Sequence, residues 1–193
     1  MKIEERIDKL NKELQENRFL KMKGLGNEVT FYIFDYPPKK ELLIRETVVK
    51  LKDSFLKKDI QILEIDLYKL ILSILFEKIP AEKIVEYEKK KGSGELLERL
   101  RPVLKIDMIN EKITSLLSSK NYDIIFLTGI GNAWPLIRSH KVLNNLQSVV
   151  SSLPLIVFYP GHYTKYELSL FGKFKDANYY RAFRLIDYVE EKN

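Results

Sequence analysis

Two glycines between two apolar stretches offer the first candidate for a ligand site. Gly129 and Gly131 follow the apolar run 124–127 and precede an amphipathic segment that begins at Trp134. A strand, a Gly-x-Gly turn and a helix can together hold a phosphate, because the free amides at the start of the helix attract anions. The dinucleotide fingerprint needs a third glycine where this chain has Trp134, and no Gly-Lys-Ser/Thr follows a predicted strand. We therefore interpret the glycines mainly as a tight turn, with Pro135 starting the helix. The weak anion-site candidates are Thr128, Gly129, Gly131, Asn132 and Trp134.

Neither histidine lies in a metal-binding or nucleophile-activating pattern. His140 falls inside the predicted helix, and His162 follows Pro160-Gly161 in a predicted loop, so their spacing matches no local metal-ligand motif. Ser139 beside His140 is not a nucleophile–base pair, because neighbours on a helix point in different directions. No Gly-x-Ser-x-Gly elbow is present to expose a serine. We expect no metal site.

Two aspartates, Asp35 and Asp66, end predicted strands, which we take to be adjacent, at the edge of a sheet where catalytic carboxylates often lie. Each can instead cap the helix that follows it, which is the commoner role of an aspartate at that position. No acid–base pair can be assigned. We therefore predict a protein without catalytic residues or cofactor.

The segment 170–185 combines aromatic side chains with glycine and several cations. It fits three interpretations: core packing, a protein-interaction site rich in tyrosine and arginine, or a platform for single-stranded nucleic acid. The last would require salt-dependent DNA binding that weakens on Arg181→Ala or Arg184→Ala. Together with the Pro-Gly loop before it, this segment supplies the candidate partner-binding residues. These are Tyr159, Pro160, Gly161, Tyr163, Phe171, Asp176, Asn178, Tyr179, Tyr180, Arg181 and Arg184.

Strand-like runs alternate with helical ones, which predicts a parallel sheet covered by helices. The strand candidates are 29–34, 60–65, 124–127, 155–159 and 179–186. The predicted fold class is a three-layer α/β sandwich whose mostly parallel central sheet of about five strands is flanked by helices. In such sheets, ligands and partners meet the loops beyond the carboxyl ends of the strands, which is where the candidate residues would lie.

Residues 1–193 are predicted to form one α/β domain, since domains typically hold about 100–200 residues. Apolar residues at helical spacing within 1–17 predict an N-terminal amphipathic helix that packs on the body. A charged helix is predicted to end at Gly92, and a further helix from Trp134 to Val149. The segment 23–27 and Gly92-Ser-Gly94 are predicted breaks between elements.

The composition indicates a cytoplasmic globular protein. There is no cysteine, which excludes disulfides and thiolate chemistry and fits a reducing compartment. No apolar run reaches the roughly 18 residues that span a bilayer, so no membrane contact is expected. The 33 basic and 27 acidic side chains leave a net charge of +6, which permits contact with nucleic acid or an acidic protein without requiring either.

Several long segments resemble the BrxB family, whose members are encoded in BREX bacteriophage-defence operons. The resemblance is carried by 127–140, by Leu143-Asn-Asn-Leu146, by 154–161 with Tyr163, and by 170–183. The run Phe31-Tyr-Ile-Phe-Asp-Tyr-Pro-Pro38 also fits, so the resemblance covers nearly the whole chain.

This resemblance implies a non-enzymatic component of BREX immunity, in which host DNA is methylated and phage replication is blocked. It implies an assembly or adaptor subunit whose first partner is the phosphatase-like PglZ, with the methyltransferase and the ATPase as further partners. It carries over no catalytic residue. A DNA-binding module that helps to place the methyltransferase and a cryptic nucleotide-binding protein using the turn at Gly129 are the alternatives.

Overall fold

The strands of the molecule form a sheet that is mostly parallel. The computed structural model describes residues 1–16, 31–150, 153–164, 166–176 and 182–188. Its strands are β1 Phe31–Tyr36, β2 Ile62–Asp66, β3 Ile124–Thr128, β4 Leu155–Tyr163, β5 Leu168–Leu170, β6 Phe174–Asp176 and β7 Phe183–Arg184. The order β2-β3-β4-β1-β7 is parallel throughout, and β5 and β6 extend the end of β4 in antiparallel pairing. The predicted α/β class with a mostly parallel sheet is confirmed.

The helices within the described ranges cover both faces of this sheet. They are α1 Ile3–Glu13, α2 Glu41–Leu56, α3 Leu67–Lys78, α4 Ala81–Leu100, α5 Ile106–Leu117, α6 Ile130–Ala133 and α7 Ser139–Val149. Gly92, with φ of 82°, breaks α4 into two helical parts, as the sequence predicts. None of the helices in the described ranges is both long and apolar enough to cross a bilayer.

Apolar side chains alternate between the two faces of the central strands. Phe34, Phe126 and Phe158 face α1 and α2 and form a ring cluster with centroids 5.1 and 5.8 Å apart. Leu127 and Val157 face the other way, into the core shared with α3, α5 and α7. Burial on both sides explains why these strands read as continuous apolar runs in the sequence.

The chain leaves β1 and β4 toward opposite faces of the sheet. β1 leads through a 3-10 turn at Pro38–Lys40 into α2, which packs on one face. β4 leads into the β5–β6 hairpin, whose Leu168 and Leu170 belong to the core of the other face. Because β1 and β4 are neighbours, their carboxyl ends border a crevice of the kind where ligands bind in open α/β sheets.

Several local predictions are wrong. The helix expected from Trp134 begins at Ser139, because the residue before a proline is disfavoured in helical conformation and Trp134 is extended, with ψ of 136°. Pro160–Tyr163 is the end of β4 rather than a loop. Pro160 still pairs with β1, and Gly161, His162 and Tyr163 pair with β5. Asp35 and Asp66 lie on strands separated by β3 and β4 rather than on neighbours.

The last predicted strand, 179–186, is only partly covered by the structure. Within it, β7 pairs with β1, and residues 179–181 lie outside the described residues. The break expected at 23–27 and the first two residues of the strand expected at 29–34 also lie outside them.

Candidate functional site

Asp35 is a fully buried carboxylate at the carboxyl end of β1. Its Oδ1 accepts a hydrogen bond from Nη2 of Arg6 at 2.9 Å. Its Oδ2 accepts the backbone N–H of Tyr163 at 2.9 Å and the hydroxyl of Tyr188 at 2.8 Å. The carboxylate therefore joins α1, β1, β4 and the C-terminal segment, and it does not cap the following helix.

Two arginines share this one carboxylate. Arg6 also donates to the Asp35 carbonyl, and its guanidinium lies 3.7 Å from the ring centroid of Tyr188. Nη2 of Arg184 lies 3.8 Å from Oδ2 of Asp35, and its guanidinium lies 4.7 Å from the centroid of the same ring. Nδ1 of His162 is 3.6 Å from Oδ2. The Asp35 cluster, consisting of Arg6, Asp35, His162, Arg184 and Tyr188, is an ion pair network with aromatic stacking rather than an acid–base pair.

Burial raises the pKa of the Tyr188 phenol above its ordinary value, and the neighbouring Asp35 carboxylate raises it further. The hydroxyl therefore stays protonated near neutral pH and remains a donor to Asp35. Since Asp35 already accepts hydrogen bonds from two elements besides the tyrosine, the cluster fixes side chains instead of leaving a reactive group open.

Sequence reasoning missed Arg6, although its spacing held a signal. Arg6 stands three residues after Ile3 and four before Leu10, so it lies on the apolar stripe of α1, where only 3% of it is exposed. A charged residue on a buried stripe requires a buried partner. That partner is Asp35, for which the sequence predicts a helix cap or a catalytic carboxylate.

An exposed aromatic surface, formed by Trp134, Phe171 and Phe174, lies near the same edge of the sheet. The rings of Trp134 and Phe174 are stacked, with centroids 4.4 Å apart, and are 36% and 43% exposed. Phe171 meets both rings edge-on at 6.3 and 6.4 Å. The structure thus brings Trp134, a predicted anion-site residue, together with Phe171, a predicted partner contact. Phe174, which is not among the predicted site residues, packs against both.

The Gly131 position supports this surface. A Cβ at Gly131 would lie 3.0 Å from Cε1 of Phe171 and 3.0 Å from Cγ of Pro160. The glycine therefore allows the ring of Phe171 and the buried Pro160 to approach the turn closely.

The Gly129 turn is shaped by Asp66 rather than open to an anion. Gly129 has φ of 72°, and a Cβ there would lie 2.2 Å from Oδ1 of Asp66. That oxygen also accepts the N–H of Lys69 and so caps α3. Thr128 donates to Oε1 of Glu64 at 3.0 Å, and Asn132 is exposed. A carboxylate against the turn, and a following helix α6 of only four residues, both work against anion binding.

The other predicted contact residues fall into three groups. Tyr159 and Tyr163 are core residues with no exposed area, which removes them from the surface available to a partner, and Pro160 is buried beside them. Gly161 is half-buried in β4, and the Arg184 side chain is 12% exposed. Asn178, Tyr179, Tyr180 and Arg181 lie outside the described residues, as does the side chain of Asp176.

No group of three or more metal-ligating side chains occurs in the described part of the chain.

Comparisons with known proteins agree on one family. The family model for the BREX protein BrxB matches residues 63–185. A BREX protein BrxB from Bacillus cereus (strain H3081.97) is 45% identical over 190 residues, covering 96% of this chain and 98% of the relative. Another from Escherichia coli O9:H4 (strain HS) is 38% identical over 184 residues, covering 95% and 92%. No solved structure matches the chain significantly. The resemblance carried by its motifs is confirmed, and the chain belongs to the BrxB family of BREX proteins.

Proposed function

We propose that this chain is a non-enzymatic assembly or adaptor subunit that binds another BREX protein through the aromatic surface of Trp134, Phe171 and Phe174. Membership of the BrxB family makes it a component of a BREX phage-defence system. PglZ is the partner proposed first, with the methyltransferase and the ATPase as further partners. The complex acts in the cytoplasm and is needed for host DNA methylation, phage restriction or both.

The observation that carries this proposal is the exposed stack of Trp134 on Phe174. Large rings held against each other at 4.4 Å while more than a third exposed leave apolar area in contact with water. Aromatic residues of this kind dominate the energetic centres of protein interfaces, because burying them under a partner removes that area from water. Lys173 and Lys175, both exposed, flank Phe174 and supply the polar rim that such centres usually have.

The hairpin turn that carries Phe171 has a strained backbone closed by local hydrogen bonds. Phe171 has φ of 56°, in the left-handed region that costs a non-glycine residue about 1–2 kcal/mol. Its turn is closed by hydrogen bonds from Gly172 to Ser169 and from Lys173 to Leu170. Backbone strain of this kind persists where surrounding contacts determine it and is often found at functional surfaces, which supports a role for this turn.

Co-purification of the full chain with PglZ tests the proposal. Phe174→Ala is expected to weaken the complex about 30-fold or more, the effect of losing an interface centre of about 2 kcal/mol. Phe76→Ala on α3 is the matched control, because Phe76 is 48% exposed and is also a phenylalanine on the surface.

Two outcomes would contradict the proposal. One is the absence of a complex with PglZ at micromolar concentrations, measured by light scattering. The other is a complex whose dissociation constant changes equally in Phe174→Ala and in Phe76→Ala.

A further inference from the structure

A cavity of about 770 Å³ opens between the start of α5 and the start of α7. Five basic side chains line it: Arg101, Lys105, Arg138, His140 and Lys141. Among the described residues in its wall, Asp107 is the one acid. These five residues, named here the basic groove, concentrate positive charge in a concave surface, where the field is focused.

Four cations of the groove, all lysines or arginines, have no acid within ion-pair distance among the described residues. Within the part of the chain that the structure describes, no ion pair involves Arg101, Lys105, Arg138 or Lys141. Elsewhere lysines meet carboxylates closely, as Lys52 meets Glu64 at 2.7 Å. Four lysine and arginine side chains thus share the described wall of the groove with one acid, Asp107, which leaves a local excess of positive charge.

The start of α7 adds to that excess. Helix N-termini carry free amides and a partial positive charge, so acidic residues are favoured there and basic ones are not. The first turn of α7 has no acidic residue and no side-chain cap at Arg138, yet it contains His140 and Lys141. A cation such as Lys141 at the positive end of a helix opposes stability, and a bound anion would relieve that repulsion.

The groove is tied to the neighbouring loop through Arg101. Its Nε and Nη2 both donate to the carbonyl of Pro135, at 3.2 and 3.1 Å. This fixes one wall of the groove beside Trp134 while leaving Lys105, Arg138 and Lys141 exposed to solvent.

We propose that the basic groove binds the phosphate backbone of DNA. Helix amides and the exposed guanidinium of Arg138 both suit phosphate oxygens, and several separated cations suit an anion whose charges repeat along a chain. This site is distinct from the aromatic surface and does not depend on the adaptor function. It also differs from the segment around Arg181 and Arg184 that the sequence suggested.

The test measures binding of the full chain to a fluorescein-labelled DNA of about 30 bases, as single strand and as duplex, by anisotropy. At least one form is expected to bind at about 50 mM salt and to lose about 20- to 50-fold in affinity by about 200 mM, as contact with about three phosphates requires. The variant Arg138→Gln with Lys141→Gln is expected to lose at least about tenfold in affinity at low salt and to show a smaller salt slope.

The control is Lys89→Gln with Lys91→Gln, which removes the same charge from exposed positions of α4 outside the groove. It is expected to stay within about twofold of the parent protein. Equal weakening by the two pairs, or no binding of either DNA form to the parent at low salt, would overturn the proposal. Matching melting temperatures for the three proteins show that any difference arises at the groove.

Discussion

Arg6 and Asp35 form a buried ion pair that joins the N-terminal helix to the first strand, with Nη2 and Oδ1 2.9 Å apart and side chains 4% and 0% exposed. Arg6 also stacks on Tyr188, so the same guanidinium holds the C-terminal segment. A buried pair adds little over a well-packed apolar pair, but losing one partner leaves the other charge buried without compensation. The stability of the fold should therefore depend strongly on each of these two side chains.

Removing either partner is expected to destabilise the protein, and Asp35→Asn more than Arg6→Met. Without the Asp35 charge, both Arg6 and Arg184 are left buried and unpaired, whereas loss of Arg6 leaves Asp35 with the hydrogen bonds from Tyr163 and Tyr188. We expect a loss of about 3 kcal/mol for Arg6→Met and about 5 kcal/mol for Asp35→Asn, from urea denaturation.

Arg45→Met is the matched control for Arg6→Met. Arg45 pairs with Glu41 at 2.8 Å, but these side chains are 50% and 27% exposed, so the pair is screened by water and salt. Its loss is expected to cost less than about 1 kcal/mol. Equal destabilisation by the two arginine substitutions would show that the burial of Arg6 has no energetic consequence.

Alkaline pH is expected to destabilise the protein through Tyr36. Burial raises the pKa of the Tyr36 phenol, and so does Glu41, which accepts its hydrogen bond at 2.6 Å. Above about pH 10 the unfolded chain loses this proton while the folded protein keeps it, so the free energy of unfolding falls by about 1.4 kcal/mol per pH unit from this group. In Tyr36→Phe the free energy of unfolding should fall less steeply with pH, by that amount per pH unit. Urea denaturation at several pH values above about 10 measures this.

Tyr188 acts in the same direction with a smaller effect. Its pKa is raised by burial and by Asp35, but it is only half-buried, so solvent screening reduces its contribution. Tyr188→Phe should therefore flatten the alkaline slope less than Tyr36→Phe does. Identical slopes in the parent and in Tyr36→Phe would mean that the phenol ionises equally in the folded and unfolded states.

The parts of the fold that local sequence determines were predicted well. The strand at 124–127 extends one residue further, to Thr128, and Asp66 caps α3 through the N–H of Lys69. Gly92 breaks α4 where a glycine follows a run of lysines. These features depend on neighbours in the chain, which a sequence displays directly.

The features that depend on distant contacts were not predictable in the same way. Asp35 meets Tyr188, 153 positions away, and the Trp134–Phe174 stack joins a turn to a hairpin. Tyr159 and Tyr163 look like surface aromatics beside Pro-Gly, but both lie in the core. Tyr159 is on the part of β4 that pairs with β1, and Tyr163 on the part that pairs with β5. The strand order has the same origin, since it depends on pairs such as β1 with β4 that are far apart in the chain.

Gly161→Ala is expected to disrupt the end of β4, whereas Gly94→Ala should stabilise the protein. A Cβ at Gly161 would lie 2.1 Å from the carbonyl oxygen of Ser169, a backbone atom that cannot move without breaking the β4–β5 pairing. We expect a cost of about 3 kcal/mol. At Gly94, in α4, a Cβ would meet nothing within 4 Å, so alanine should add about 0.5–1 kcal/mol by its helix propensity. Thermal denaturation gives the melting temperature of each variant. A shift of both melting temperatures in the same direction would contradict this prediction.

Arg184→Ala is expected to lower stability without weakening DNA binding, which separates the Asp35 cluster from the basic groove. The Arg184 side chain is 12% exposed, its Nη2 lies 3.8 Å from Oδ2 of Asp35, and its guanidinium covers the ring of Tyr188. A cation held inward in this way is poorly placed to meet a phosphate on the surface. Its removal should cost about 1–3 kcal/mol in urea denaturation, because Asp35 and Tyr188 lose a buried neighbour. In the anisotropy measurement Arg184→Ala should match the parent, while Arg138→Gln with Lys141→Gln should not. The opposite result, a loss of DNA affinity at unchanged stability, would place the nucleic-acid contact at the C-terminal segment instead of the groove.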